Sequence, residues 1–83
     1  MLSVTRKDII MLEKFAQELA FYEYMRCDCL RLKAPESAEY WDAKYHGLAR
    51  GIEIATGYYP CAICHGESVE IHIGEYQAVK FFG

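Results

Sequence analysis

The chain has 83 residues, of which 53% are hydrophobic and 14% aromatic, and nine basic and twelve acidic residues give a net charge of -3 at pH 7. A chain of this length forms one domain with a small core, and its apolar content excludes intrinsic disorder. The acidic balance disfavours nucleic acid as a partner, because nucleic-acid binding normally needs a basic face.

The first ten residues, MLSVTRKDII, carry charges at Arg6, Lys7 and Asp8 and lack the apolar segment of a signal peptide. No stretch reaches the roughly 18 successive apolar residues that cross a bilayer. We therefore predict a cytoplasmic protein with no membrane partner. In that compartment the four cysteines are expected to be thiols or metal ligands rather than disulfides.

Two helices are predicted, over residues 5–32 and 36–56. The first contains no glycine or proline and follows a candidate cap at Thr5. Pro35 disfavours a helical residue before it and can itself open the second helix. Gly57 is typical of the left-handed residue that ends a helix. Because only a few residues join the two helices, we expect an antiparallel helical hairpin.

Residues 57–67 are predicted to form a loop, and residues 68–82 a strand, a turn and a second strand. Apolar and polar residues alternate from Val69 to Ile73, which is typical of a half-buried strand. Gly74 then suits the first position of a tight turn. A short C-terminal helix is the alternative for the last residues. The predicted class is α+β, mainly α, with a helical hairpin followed by a short β-hairpin or a short C-terminal helix.

Small residues recur at intervals of four along the second helix, at Ala43, Gly47, Gly51 and Ala55. A glycine inside a helix costs about 1 kcal/mol relative to alanine. We therefore expect this small-residue ridge to pack closely on the first helix, where Ala16 and Ala20 lie at a matching height. A ligand that fills the space left by the glycines is the alternative.

The first helix is apolar on two faces, and one of them is expected to pack on the second helix. Either the C-terminal hairpin or another protein chain covers the other face. The tyrosines and terminal phenylalanines also exceed what one small core can hold, and such residues are enriched at interfaces. We predict a surface for a protein partner or a second copy of the chain, formed by Phe21, Tyr24, Met25, Tyr58, Tyr59, Tyr76, Phe81 and Phe82.

Residues Cys61 to His65 read CAICH, which looks like one knuckle of a zinc ribbon. A structural zinc ion needs four converging ligands. The only other cysteines are Cys27 and Cys29, and the hairpin geometry places Cys27 roughly 20–27 Å from the end of the second helix. A smaller zinc site formed by Cys61, Cys64 and either His65 or His72 therefore stays open beside free thiols. Haem attachment and thioredoxin-like redox chemistry lack their sequence context.

The remaining polar residues do not form a recognisable catalytic group. His46 lies four residues from both Asp42 and Arg50, which predicts an exposed ladder of charges. Glu23 and Arg26 interrupt the apolar face of the first helix and are expected to extend their charged ends towards solvent or to pair with each other. A small polar pocket lined by the two is the alternative. We therefore predict that the protein is not an enzyme.

The segment YWDAKYHGLARGIEIATGYYP, residues 40–60, resembles the second helix of short helical-hairpin proteins encoded in phage and prophage genomes of Gram-positive bacteria. The resemblance implies a protein that binds a host protein, in some cases to block a defence system, and it assigns no residue a role. The predicted function is a non-enzymatic protein–protein interaction module. A small structural-zinc domain and a protein that sequesters a nucleotide-like ligand are the alternatives.

Overall fold

The computed structural model describes residues 6–82 and shows two helices followed by a three-stranded antiparallel sheet. The elements are α1 (Arg6–Arg31), α2 (Pro35–Thr56), β1 (Cys61–Cys64), β2 (Ser68–Ile73) and β3 (Tyr76–Phe81). The predicted α+β class is confirmed, and the last residues form a strand rather than a helix. The predicted helix cap at Thr5 lies outside the described residues.

The two helices end where their local sequence requires. Lys33 adopts a left-handed conformation with φ 57°, and the Ala34 N–H donates to the carbonyl of Cys29 at 2.8 Å. Pro35 then occupies the first turn of α2, where its missing N–H costs nothing. Gly57 closes α2 with φ 85°. The helical hairpin therefore follows from residues that can be read in the sequence.

The sheet contains one strand more than predicted. The segment Cys61–Cys64, predicted as part of a loop, is strand β1, and it pairs with β2 so that Cys64 lies opposite Val69. The chain turns back after α2 to reach this position. A hydrogen bond shows the turn, since the hydroxyl of Tyr45, in the middle of α2, donates to the carbonyl of Pro60 at 3.2 Å. Strand β1 consequently runs beside the helices rather than extending beyond them.

Helix α1 lies between α2 and the sheet and makes contacts with both. The buried core contains residues of α1, α2 and β2, and its members are Ala16, Leu19, Ala20, Tyr45, Ala49, Ile52, Val69, Ile71 and Ile73. The sheet thus covers part of the second apolar face of α1. This is the alternative in which the C-terminal hairpin, rather than another protein chain, covers that face.

The small-residue ridge of α2 does not pack on α1, which corrects the prediction. Ala43, Gly47, Gly51 and Ala55 are all exposed. A Cβ atom added at Gly47 or Gly51 would meet no atom within 4 Å. Helix α2 instead buries Tyr45, Ala49 and Ile52. The physical reason is that α2 has one helical partner, and its larger apolar face buries more area than the ridge can.

Replacing Gly51 with alanine should therefore raise the free energy of unfolding by about 1 kcal/mol, because alanine has the higher helix propensity and the site is open. Urea denaturation measures the change. Gly74→Ala is the matched control and should destabilise, since Gly74 has φ +61° and a Cβ there would lie 2.9 Å from the Tyr58 ring. A loss of stability in Gly51→Ala would instead indicate close packing at the ridge.

Candidate functional site

Four aromatic side chains form one surface on the helical hairpin, at the level where α1 and α2 lie side by side. The Trp41 ring makes edge contacts with Phe21 and Tyr40, at centroid distances of 5.5 Å and 5.1 Å. Tyr22 lies 6.0 Å from Trp41 and 6.2 Å from Phe21. The other three rings therefore all contact Trp41, and the contacts join residues that are distant in the sequence.

A lysine lies over the same rings. The Lys44 ammonium is 5.3 Å from the centroid of Tyr40 and 5.8 Å from that of Tyr22, distances at which a cation is attracted by an aromatic face. Phe21 and Tyr40 are 43% and 55% exposed. We refer to Phe21, Tyr22, Tyr40, Trp41 and Lys44 as the aromatic patch.

Sequence reasoning found only part of the aromatic patch. Phe21 is one of the predicted contact residues, whereas Trp41, which lies half-buried, is not among them. Tyr40 and Lys44 are four residues apart on α2 and therefore on one face. That spacing was the available signal, but the sequence does not show that α1 places Tyr22 beside them.

The predicted contact residues differ in their exposure to solvent. Phe21, Tyr58, Tyr59 and Phe81 are exposed, while Tyr24, Met25, Tyr76 and Phe82 are partly buried. Tyr24 stacks on Phe82 with centroids 4.3 Å apart and planes inclined by 14°. This contact holds the end of the chain on α1. Half of the predicted set thus contributes to packing within the chain.

Tyr58 and Tyr59 also contact other parts of the chain. The Tyr58 ring lies against Gly74 in the β2–β3 turn, and the Tyr59 hydroxyl forms a hydrogen bond with Nδ1 of His46. Nε2 of His46 lies 3.3 Å from a carboxylate oxygen of Asp42, which is consistent with the predicted charge ladder. These contacts anchor the connection between α2 and β1.

The knuckle predicted at Cys61, Cys64 and His65 is not assembled. In a strand, residues three apart point to opposite faces and lie roughly 10 Å apart. Cys61 is exposed, whereas Cys64 packs against the core. Among residues 6–82, no three His, Cys, Asp or Glu side chains are placed to hold a metal ion. The spacing resembles a knuckle, but its conformation is that of a paired strand.

Cys27 and Cys64 are neighbours, which corrects the predicted separation. The Cys64 thiol is close enough to that of Cys27 to contribute to its raised pKa. The predicted distance assumed that the chain stays near the end of α2, whereas β1 returns along α1. Burial, and secondly the interaction with Cys64, raises the pKa of the Cys27 thiol to about 11. At neutral pH Cys27 is therefore protonated and a poor nucleophile.

We expect iodoacetamide at neutral pH to alkylate Cys61 first and Cys27 last. Cys61 is exposed, whereas Cys27 is half-buried and rarely ionised. Mass spectrometry of digests taken at successive times measures the order. In the urea-unfolded chain all four cysteines should react at similar rates. Equal rates for Cys27 and Cys61 in the folded protein would contradict the environment described for Cys27.

A carboxylate lies between two histidines on the face of the sheet that points away from α1. Glu70 forms a hydrogen bond with His72 on the same strand, and its second oxygen lies 3.5 Å from Nε2 of His65. The bond to His72, followed by the charges of the two imidazoles, lowers the pKa of Glu70. His65 is exposed and the other two side chains are half-buried, and these contacts stabilise the three side chains mutually.

The predicted pairing of Glu23 with Arg26 is present. The guanidinium donates to both carboxylate oxygens of Glu23, at 2.7 Å and 2.9 Å. This two-pronged bond raises the pKa of Arg26 above its ordinary value. Glu23 is only 8% exposed and is the one buried charged residue in the described part of the chain. Both of its oxygens are therefore engaged within α1.

Comparison of the chain with protein-family models, with curated proteins and with solved structures found no match. The resemblance of residues 40–60 to phage helical-hairpin proteins therefore stays a prediction. Neither α1 nor α2 combines the length and the hydropathy that crossing a membrane requires, as far as residues 6–82 are concerned. The function must be argued from the surface itself.

Proposed function

We propose that this protein is a non-enzymatic protein–protein interaction module that binds its partner through the aromatic patch. The proposal is supported by an aromatic surface whose outer rings are about half exposed to solvent, on a chain that has only a small core. Burial of Phe21 or Tyr40 within the chain would have been favourable, and yet each remains about half exposed. A contiguous apolar surface of this kind on a small domain is typical of a binding site.

The chemistry of the patch fits a protein partner. Tyrosine and tryptophan supply large, rigid contact area and are enriched among the residues that dominate binding energies. Here the rings already contact one another, so little side-chain entropy remains to be lost on binding. Lys44 places a positive charge at the patch. We expect a partner that combines an apolar contact surface with a nearby carboxylate.

The resemblance to phage proteins adds one class of partner, which is a protein of a bacterial host. Inhibition of a host defence protein is the specific form of this proposal. It rests on the resemblance of residues 40–60 alone. The patch is consistent with it, since Tyr40, Trp41 and Lys44 lie in that segment.

The test is affinity capture from a lysate of a Gram-positive bacterium, using a double variant, Phe21→Ala with Tyr40→Ala. Both side chains are exposed, so the variant should keep its fold. Ile54→Ala is the matched control, because Ile54 is an exposed apolar residue of α2 outside the patch. We expect the wild type and the control to capture the same protein. The amount captured by the double variant should be at least about tenfold lower.

Two outcomes would contradict the proposal. Equal retention of the same protein by all three baits would place binding outside the aromatic patch. Retention of no protein by the wild-type bait, in lysates from several hosts, would count against an interaction module of this kind.

A further inference from the structure

Strand β3 leaves one of its edges unpaired. The sheet order is β1-β2-β3, so β3 pairs only with β2 within the described chain. Its side chains include Val79 and Phe81, which are 52% and 76% exposed. An exposed edge of this length offers backbone N–H and C=O groups to another strand. The opposite edge, β1, is only four residues long and directly follows Pro60.

A groove lies beside this free edge, between β3 and α1. It has a volume of about 460 Å³. Small side chains line it, notably Ala16 and Ala20 of α1 and Ala78 of β3. Because these side chains are short, the groove can accept longer side chains from an added strand.

The groove carries opposite charges towards its two ends. Glu13 and Tyr76 line the groove together, and the Glu13 carboxylate, after burial, raises the pKa of the Tyr76 hydroxyl. Lys80 lines the groove four residues further along β3. Neither Glu13 nor Lys80 forms an ion pair with another residue of the described chain. A lysine on an edge strand normally opposes pairing, unless the added strand brings an acidic group to it.

The strand that fits this arrangement is β3 of a second copy. In a two-fold antiparallel pair centred on Ala78, Tyr76 of one copy lies opposite Lys80 of the other. Because Glu13 lines the groove together with Tyr76, the incoming ammonium would face the Glu13 carboxylate. The same contact forms twice by symmetry. A register centred on Val79 would place Lys80 opposite Ala78 and lose both ion pairs.

We propose that two copies of this chain pair through β3, in the register centred on Ala78, with Lys80 of each copy bound to Glu13 of the other. The two three-stranded sheets then form one six-stranded sheet. The proposal goes beyond the interaction module above, because β3 lies outside the aromatic patch. Two copies would pair through β3, and the aromatic patch would stay available to a different protein.

Analytical ultracentrifugation over a wide range of protein concentration tests the proposal. We expect a monomer–dimer equilibrium in the wild type. Glu13→Lys alone and Lys80→Glu alone should each weaken the dimer at least about tenfold, because each replaces two attractive pairs with two repulsive ones. An equimolar mixture of the two variants should recover the dimer, since opposite charges then meet at both contacts.

Matched charge changes outside the groove are the controls. Glu18→Lys and Lys33→Glu change the net charge by the same amounts as the two groove variants, but at exposed residues outside the groove. They should leave dimerisation unchanged. A wild type that stays monomeric at every concentration would overturn the proposal, and so would a dimer that neither groove variant weakens. The Phe21→Ala, Tyr40→Ala double variant should still dimerise, so failure here is distinguishable from failure of the proposed partner binding.

Discussion

Replacing Leu19 with alanine should lower the free energy of unfolding by about 3–4 kcal/mol. Leu19 is completely buried, on the helix that lies between α2 and the sheet. The truncation removes apolar area from the core and leaves a cavity that the surrounding elements cannot close fully. A chain of this length has roughly 4–12 kcal/mol of total stability, so the loss is a large share of it.

Urea denaturation followed by circular dichroism measures this loss. The control is Leu32→Ala, which removes the same atoms from a side chain that is 73% exposed. Its stability should stay within about 0.5 kcal/mol of the wild type. Equal effects of the two substitutions would mean that α1 does not occupy the centre of the domain.

Replacing Arg26 with methionine should cost about 2–3 kcal/mol, the second-largest effect that we expect. The substitution keeps an apolar stem but removes the guanidinium, so the Glu23 carboxylate is left almost buried without its partner. Removing one member of a fully buried pair costs roughly 3–5 kcal/mol. The expected value is lower because the Arg26 side chain is 30% exposed to solvent.

Arg31→Met is the matched control. Arg31 pairs with Asp28 at the same i, i+3 spacing, but the two side chains are 57% and 36% exposed. The control should therefore change stability by less than about 0.5 kcal/mol. Replacing Glu23 with leucine in the Arg26→Met background should recover part of the loss, because no unpaired charge remains. No recovery would show that lost packing, rather than the unpaired carboxylate, causes the effect.

The helices and the last two strands could be predicted because their signals are local. Pro35 disfavours a helical residue before it and suits the first turn of the next helix, and Gly57 adopts at no steric cost the left-handed conformation that ends a helix, so each marks a boundary. The alternation around Ile71 indicates a strand independently of the rest of the fold. Strand β1 is too short to show a period, and its conformation depends on pairing with β2. A local pattern cannot report that pairing.

The face that a helix turns towards its neighbour is harder to predict than the helix itself. On α2 the glycine ridge and the face containing Tyr45 and Ile52 were both plausible contact surfaces, and burial of the larger residues prevailed. The same limitation placed Cys27 far from Cys64, because the path of the chain after Gly57 determines that distance. The aromatic patch combines residues of two helices, so only their relative placement brings it together.

The central ring of the aromatic patch is also the only indole in the chain. The fluorescence of the unlabelled protein therefore comes chiefly from Trp41, half-buried between Phe21 and Tyr40. A partner that covers this ring would remove it from water and shift its emission to shorter wavelength. Pairing at β3 would leave the emission unchanged, because none of the described contacts of Trp41 involves the sheet. One optical signal can thus follow occupancy of the helical surface without any attached dye.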